Sequence, residues 1–303
     1  MPSTGDNRAA PALKKASVTR RPFVWKLKSR DLNLGERTLI MGVLNVTPDS
    51  FSDGGKFLDP DRAFARAVEL EEHGADIIDI GAESTRPGSA RILAAEEIRR
   101  LIPVLKRLRD KLSVPISVDT YKADVAELAM SHGAEIINDP SGLTYDPQLA
   151  KTVVQHDAGL ILNHMRGSPE TWAKLPPLRD VMGTIARELE ATASRARLAG
   201  VDRARIIVDP GIGFGKRKEE NSEILAQLGK LTALDLPVLV GPSRKSFLAQ
   251  QNEEQTRFAT AAAVTACILA GAHIVRVHDV AEMSIVVRVA DEVLRHRAEQ
   301  GAV

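Results

Sequence analysis

The chain has 303 residues, 44% hydrophobic and 27% charged, enough apolar material for one large α/β domain or two ordinary ones. A formal net charge of +1 and an aromatic content of 4% argue against a nucleic-acid partner or a membrane surface. The single cysteine, Cys267, excludes an intrachain disulfide and a cysteine-based zinc site, and it favours a reducing, cytoplasmic setting.

Residues 1–21 are polar and basic, contain Pro and Ser, and show no apolar signal core, so they read as a disordered tail rather than a transit peptide. From Phe23 the chain alternates, with Phe23, Trp25 and Leu27 on one side and Lys26 and Lys28 on the other. That predicts a short N-terminal β-hairpin with its turn near Asn33 and Gly35. A rhythm then begins. Apolar runs fall at 39–46, 75–81, 114–120, 134–140, 159–165, 205–211, 236–242 and 273–279. Between them lie amphipathic segments such as 61–75, with Gly74 at its stop, and 181–200, which also ends in Gly. The apolar stretch 258–275 is mostly alanine, is broken by Gly271 and His273, and follows Glu253, Glu254 and Arg257. It reads as a small-residue helix and then a strand, not as a membrane span.

The apolar runs are continuous rather than alternating, as parallel strands buried on both faces require. Eight strand–helix units in this length fit a single-domain α/β (β/α)8 TIM barrel over residues 22–298, with a short tail at 299–303. A doubly wound sheet is the competing architecture. It needs a Gly-rich phosphate loop after its first strand, and GVLNVTPDS is not one. GIGFGK (211–216) lacks the GxGxxG spacing and follows the sixth strand.

Nearly every run ends in polar side chains: Asn45, Glu83 to Arg86, Asp119, Asn138 with Asp139, His164, Asp209, Ser243 to Lys245, and Arg276 with His278. In a barrel these ends meet at one mouth, where the chemistry sits. Asp119, Asn138 and Asp209 suit a flat heterocycle rich in N–H donors, because a carboxylate can accept two parallel bonds. Lys245 suits a ring carbonyl or nitrogen. Thr85, Arg86, Arg276 and His278 suit a phosphate or pyrophosphate, and Asn45 with nearby oxygens suits Mg2+. Blander roles also exist. Glu83 can cap a helix, Asp279 is a good N-cap, and His164 can be a satisfied core histidine. His73, His132, His156, His273 and His296 lie on or beside helices and look structural. No HExxH, GxSxG or Walker A pattern is present.

The blocks MGVLNVTPDSFSDGG, DIGAESTRPGS, SVDT, IIND, DPGIGFGK, GPSRKSF and RVHDV resemble the signature blocks of the dihydropteroate synthase family, in the family's order over residues 37–298. The resemblance implies a TIM barrel, a homodimer, a sulfonamide target, and Mg2+-assisted condensation of 6-hydroxymethyl-7,8-dihydropterin pyrophosphate with p-aminobenzoate. Carried over by motif, Asp119, Asn138, Asp209 and Lys245 hold the pterin, with Met165 on its face. Asn45, Thr85, Arg86, Arg276 and His278 hold the pyrophosphate and metal, while Phe51, Pro87, Phe214 and Ser243 line the p-aminobenzoate site. Arg166 departs from the family, which often has Gln there.

Breaking a pterin-methylene–oxygen bond before a weak arylamine attacks favours an SN1-like path. That path needs electrostatic stabilisation and exclusion of water. Residues 47–55 and 83–90 read as lids, with Asp53, or else Asp49, facing the developing cation. A methyltetrahydrofolate:corrinoid methyltransferase would not need Arg276, His278 or the SRK block. A non-catalytic pterin binder would not need the chemistry of residues 51–55.

Overall fold

The computed structural model describes residues 20–47, 59–84 and 88–301. An antiparallel hairpin, β1 (Phe23–Lys26) and β2 (Asp31–Leu34), comes first. Eight strands then alternate with eight helices. These are β3 (Leu39–Asn45), α1 (Pro60–Glu72), β4 (Ile77–Gly81), α2 (Ala94–Leu108), β5 (Ile116–Asp119), α3 (Ala123–Ser131), β6 (Ile136–Asp139) and α4 (Leu149–Gln155). The second half holds β7 (Gly159–Asn163), α5 (Val181–Leu198), β8 (Ile206–Asp209), α6 (Lys218–Gln227), β9 (Leu239–Val240), α7 (Glu253–Leu269), β10 (Ile274–Val277) and α8 (Val280–Gly301). The parallel sheet runs β8-β7-β6-β5-β4-β3-β10-β9. It closes through a parallel bridge from Val208 to Val238 and a bond from the Val208 N–H to the Pro237 carbonyl at 3.1 Å. This is the expected (β/α)8 barrel.

Local chemistry sets the helix ends. Asp59 accepts from the Asp61 N–H and Pro60 opens α1, while Gly74, at φ 99°, takes the left-handed turn that stops it. Asp180 caps α5 on Gly183. No helix among the described residues is long and apolar enough to cross a membrane.

The barrel interior is packed, not hollow. Trp25, Leu27 and Leu34 of the hairpin region form one buried cluster with Leu39, Met41, Ile77, Ile136, Ile161, Ile207, Leu239 and Ile274, mostly from the strand starts. The hairpin therefore plugs the N-terminal end. The Trp25 indole N–H donates to the Arg205 carbonyl at 2.8 Å, so its one polar atom is satisfied. Gly159 permits this approach, since a Cβ there would lie 2.5 Å from Leu27 and 2.9 Å from Trp25.

Three boundaries differ from expectation. The hairpin reverses at Leu27–Arg30, where the Leu27 N–H meets the Arg30 carbonyl and Ser29 Oγ donates to Glu135 at 2.6 Å; Asn33 is already in β2, and Gly35 turns the chain after it. Arg20 and Arg21 are not tail: Arg20 pairs with Asp291 at 2.5 Å, and Arg21 with Asp235. Helix α8 continues past residue 298 to Gly301.

Candidate active site

Side chains alternate along a strand, so a residue two places beyond an interior one faces the interior again. From Ile77, Ile136, Ile161, Ile207, Leu239 and Ile274, that step reaches Asp79, Asn138, Asn163, Asp209, Gly241 and Arg276. The apolar layer of the barrel is thus followed at once by a polar one. On β5 the same step leads from Ser117 to Asp119.

Above this layer opens a cavity of about 1070 Å³, lined in part by Asn45, Asp119, Ser243, Lys245, Arg276 and His278. Arg276 Nε donates to Asp79 Oδ2 at 2.6 Å, and its Nη2 donates to Asp119 Oδ2 at 3.0 Å. Asn138 Nδ2 donates to the same Asp79 oxygen at 3.2 Å. Asp209 is buried and accepts the Gly211 N–H at 2.7 Å. Lys245 Nζ lies 4.2 Å from the centre of the Phe214 ring, which stands nearly perpendicular to the Trp172 ring at 5.6 Å between centres. At the edge of the cavity Ser243 Oγ accepts the His278 backbone N–H at 3.2 Å and lies 3.0 Å from His278 Nδ1.

Burial disfavours the charged form of each group, and this drives their proton affinities together. Burial raises Asp119 to about 7 against the pull of Arg276, and raises Asp209 to about 6 against the Gly211 N–H. Burial and Arg276 lower Lys245 to about 8. His278 falls to about 3 through burial and through Arg276 and Arg244, so it is a neutral ring near pH 7. With Ser243 as the donor to Nδ1, a neutral ring would carry its proton on Nε2.

Residues 41–278 match the pterin binding enzyme family. The chain is 44% identical over 265 residues to dihydropteroate synthase from a Synechocystis strain, covering 86% of this chain and 92% of that one. The chain belongs to the dihydropteroate synthase family. A Clostridium difficile dihydropteroate synthase, solved in the presence of pteroic acid, superposes with a TM-score of 0.81 at 42% identity, over 86% of this chain and 98% of that one. The Xanthomonas albilineans enzyme with 4-aminobenzoic acid gives a TM-score of 0.83 at 38% identity, over 90% and 98%.

Several family positions converge on the cavity. Asp119 and Lys245 line it, with Asn138 and Asp209 buried in the layer beneath and Phe214 against Lys245. Arg276 stands between two sets, bonded to carboxylates through Nε and Nη2. Asn45 lines the cavity with its Oδ1 3.7 Å from the Cβ that Gly81 lacks, on the side where Asp119 also approaches. Met165 instead lines a second cavity of about 160 Å³, together with His164. Asp49, Phe51, Asp53, Thr85, Arg86 and Pro87 lie outside the described residues.

The blander roles separate cleanly. Glu83 caps none of the described helices; it accepts from the Tyr121 hydroxyl and from Lys122, whose ammonium also meets buried Glu97 at 2.5 Å. This buried chain ties the end of β4 to α2. His164 is buried, with Nε2 2.9 Å from Glu188, and does not line the main cavity. Asp279 accepts from Arg244 with its side chain, while its carbonyl takes the Met283 N–H. Arg166 bonds the carbonyls of Gly215 at 3.1 Å and Pro176 at 2.8 Å, bracing the 211–216 loop. His273 bonds the Val238 N–H and the Arg21 carbonyl, His156 meets Glu127, and His132 meets Leu128. Sequence reasoning missed Asp79, Ser117, Asn163 and Trp172. Asp79 and Ser117 lie inside their strands, away from the polar strand ends, and Asn163 is the last residue of β7.

Proposed function

We infer that the protein is a dihydropteroate synthase, a transferase that joins 6-hydroxymethyl-7,8-dihydropterin pyrophosphate to p-aminobenzoate with loss of pyrophosphate. The observation that carries this is the single cavity in which Asp119, Lys245 and Arg276 stand over Asn138 and Asp209, with neutral His278 at its edge.

The residues divide the work. Asp119 and Asp209, as carboxylates, accept the amino and ring N–H groups of the pterin, and Asn138 adds an amide. The Lys245 ammonium donates to the ring carbonyl or nitrogen. Arg276 and the Nε2–H of His278 stabilise the leaving pyrophosphate, together with Thr85 and Arg86. As the methylene–oxygen bond breaks, its electron pair leaves on the pyrophosphate and the pterin carries the cation. The arylamine nitrogen then forms the new bond and loses a proton. Phe51, Pro87, Phe214 and Ser243 hold p-aminobenzoate, and the same subsite would take a sulfonamide. Asp53, or else Asp49, faces the cation, and the segment 47–55 excludes water.

Asn45 would hold Mg2+ through its amide oxygen. Phosphate oxygens and water would complete its shell, since Mg2+ prefers few protein ligands. When bound, Mg2+ neutralises charge on the leaving group.

A homodimer is the expected assembly. Ile285, Val289 and Val293 form a stripe on α8 at 56%, 61% and 41% exposure, and Phe258 of α7 is also exposed, at 67%. Such a patch calls for a partner, and Val289→Asp should shift the protein to monomer by light scattering. A cytoplasmic setting accords with the lone buried thiol of Cys267.

The reaction itself is tested by pyrophosphate release. Release should require enzyme, pterin pyrophosphate, p-aminobenzoate and Mg2+ together; release no faster than in an enzyme-free control would overturn the assignment.

A further inference from the structure

Asp79 lies in the middle of β4 with no exposed surface, a charge in an otherwise apolar strand. Its register partner on β5 is Ser117, also fully buried. A buried carboxylate is costly unless its oxygens are bonded. Asp79 meets that condition on one side only. Its Oδ2 accepts from Arg276 Nε at 2.6 Å and from Asn138 Nδ2 at 3.2 Å, while Oδ1 and the Ser117 hydroxyl have no partner among the described residues.

Two consequences follow from the chemistry of these bonds. A carboxylate can only accept, so it holds Asn138 with its NH2 end turned toward β4. The amide carbonyl of Asn138 is then the end left for a ligand. The amide, which alone could either donate or accept, is thereby made an acceptor. Meanwhile Arg276 is held at two points of its planar fork, Nε by Asp79 and Nη2 by Asp119. We propose that Asp79 is a positioning residue for pterin recognition. It turns Asn138 into an acceptor and fixes Arg276 between the heterocycle and the pyrophosphate. With Ser117, its second oxygen forms a polar floor that takes one further donor, a ring N–H or a single ordered water.

The proposal rests on the dihydropteroate synthase reading, and its test separates the two. Steady-state kinetics are measured for wild type, Asp79→Asn and Asp79→Ala, with unfolding temperatures taken alongside. KM for the pterin pyrophosphate should rise roughly tenfold in Asp79→Asn, which keeps a neutral acceptor, and roughly a hundredfold in Asp79→Ala. KM for p-aminobenzoate should stay within about twofold, because Asp79 acts below the pterin. Combining Asp79→Ala with Asn138→Ala should cost less than the product of the single losses, since one residue acts partly through the other. Unchanged pterin KM in a folded variant would overturn the proposal. So would equal rises for both substrates, or fully multiplicative losses. If Asp79→Ala does not fold, the isosteric Asp79→Asn decides by the same two KM values. A wild-type enzyme that makes no product would instead refute the functional reading.

Discussion

At their starts the barrel strands place Ile77, Ile136, Ile161, Ile207, Leu239 and Ile274 against Trp25, Leu27 and Leu34 of the hairpin. Two residues further along, the same strands carry Asp79, Asn138, Asn163, Asp209, Gly241 and Arg276. The backbone is the same and the side chains share one face, yet the two layers face opposite demands. The lower layer is closed and satisfied: even the Trp25 N–H has its carbonyl. The upper layer keeps buried atoms without partners, among them Asp79 Oδ1 and Asn163 Oδ1. Close packing excludes water from the first, while the second is arranged for donors that a substrate brings. The contrast teaches where stability and chemistry divide, one turn of the strand apart.

Substitutions at the two ends should therefore fail in different ways. The largest loss of stability is expected at the plug. Trp25→Ala removes a fully buried ring and one satisfied hydrogen bond, and should cost about 3–5 kcal/mol by denaturant titration. The molecules that remain folded should keep the wild-type KM for both substrates, and a changed KM would mean that the two layers are coupled. A smaller, purely functional effect is expected at the mouth. His278→Ala should weaken pyrophosphate binding about tenfold, the worth of a hydrogen bond to a charged group, while leaving pteroic acid binding and the unfolding temperature nearly unchanged.

The smallest perturbation is a change of pH. Asp119 and Asp209 must be carboxylates to accept N–H groups, and they titrate near 7 and 6 because burial raises both. Lys245 must be an ammonium, and burial with Arg276 brings it to about 8. Accordingly kcat/KM for the pterin substrate should fall as pH drops through about 7 to 6 and fall again as pH rises past about 8. His278, lowered to about 3, contributes no limb in this window. A flat profile from pH 5 to pH 9 would show that these groups do not titrate in the free enzyme.

The sequence made the barrel legible because its period is strong: continuous β-branched runs, followed by helical segments most of which end near a glycine. The ends of elements were less legible. The hairpin reverses at Leu27–Arg30 because Ser29 finds Glu135, a residue 106 positions away that no local pattern reveals. Asp119, Asn138, Asp209, Lys245, Arg276 and His278 were legible as polar strand ends. Asp79 was not, since it lies inside a strand and its role appears only when Arg276 and Asn138 reach it from β10 and β6. Glu83 was read as a possible cap and proved to belong to a buried chain through Lys122 to Glu97, again a long-range contact.

The most direct test of the division between plug and mouth is the calorimetric affinity of Asp119→Asn for pteroic acid, taken with its unfolding temperature. Asp119 lies at the mouth and bonds Arg276, so pteroic acid binding should be lost while the fold stays as stable as wild type within about 1 kcal/mol. Near-normal affinity in that variant would contradict the account.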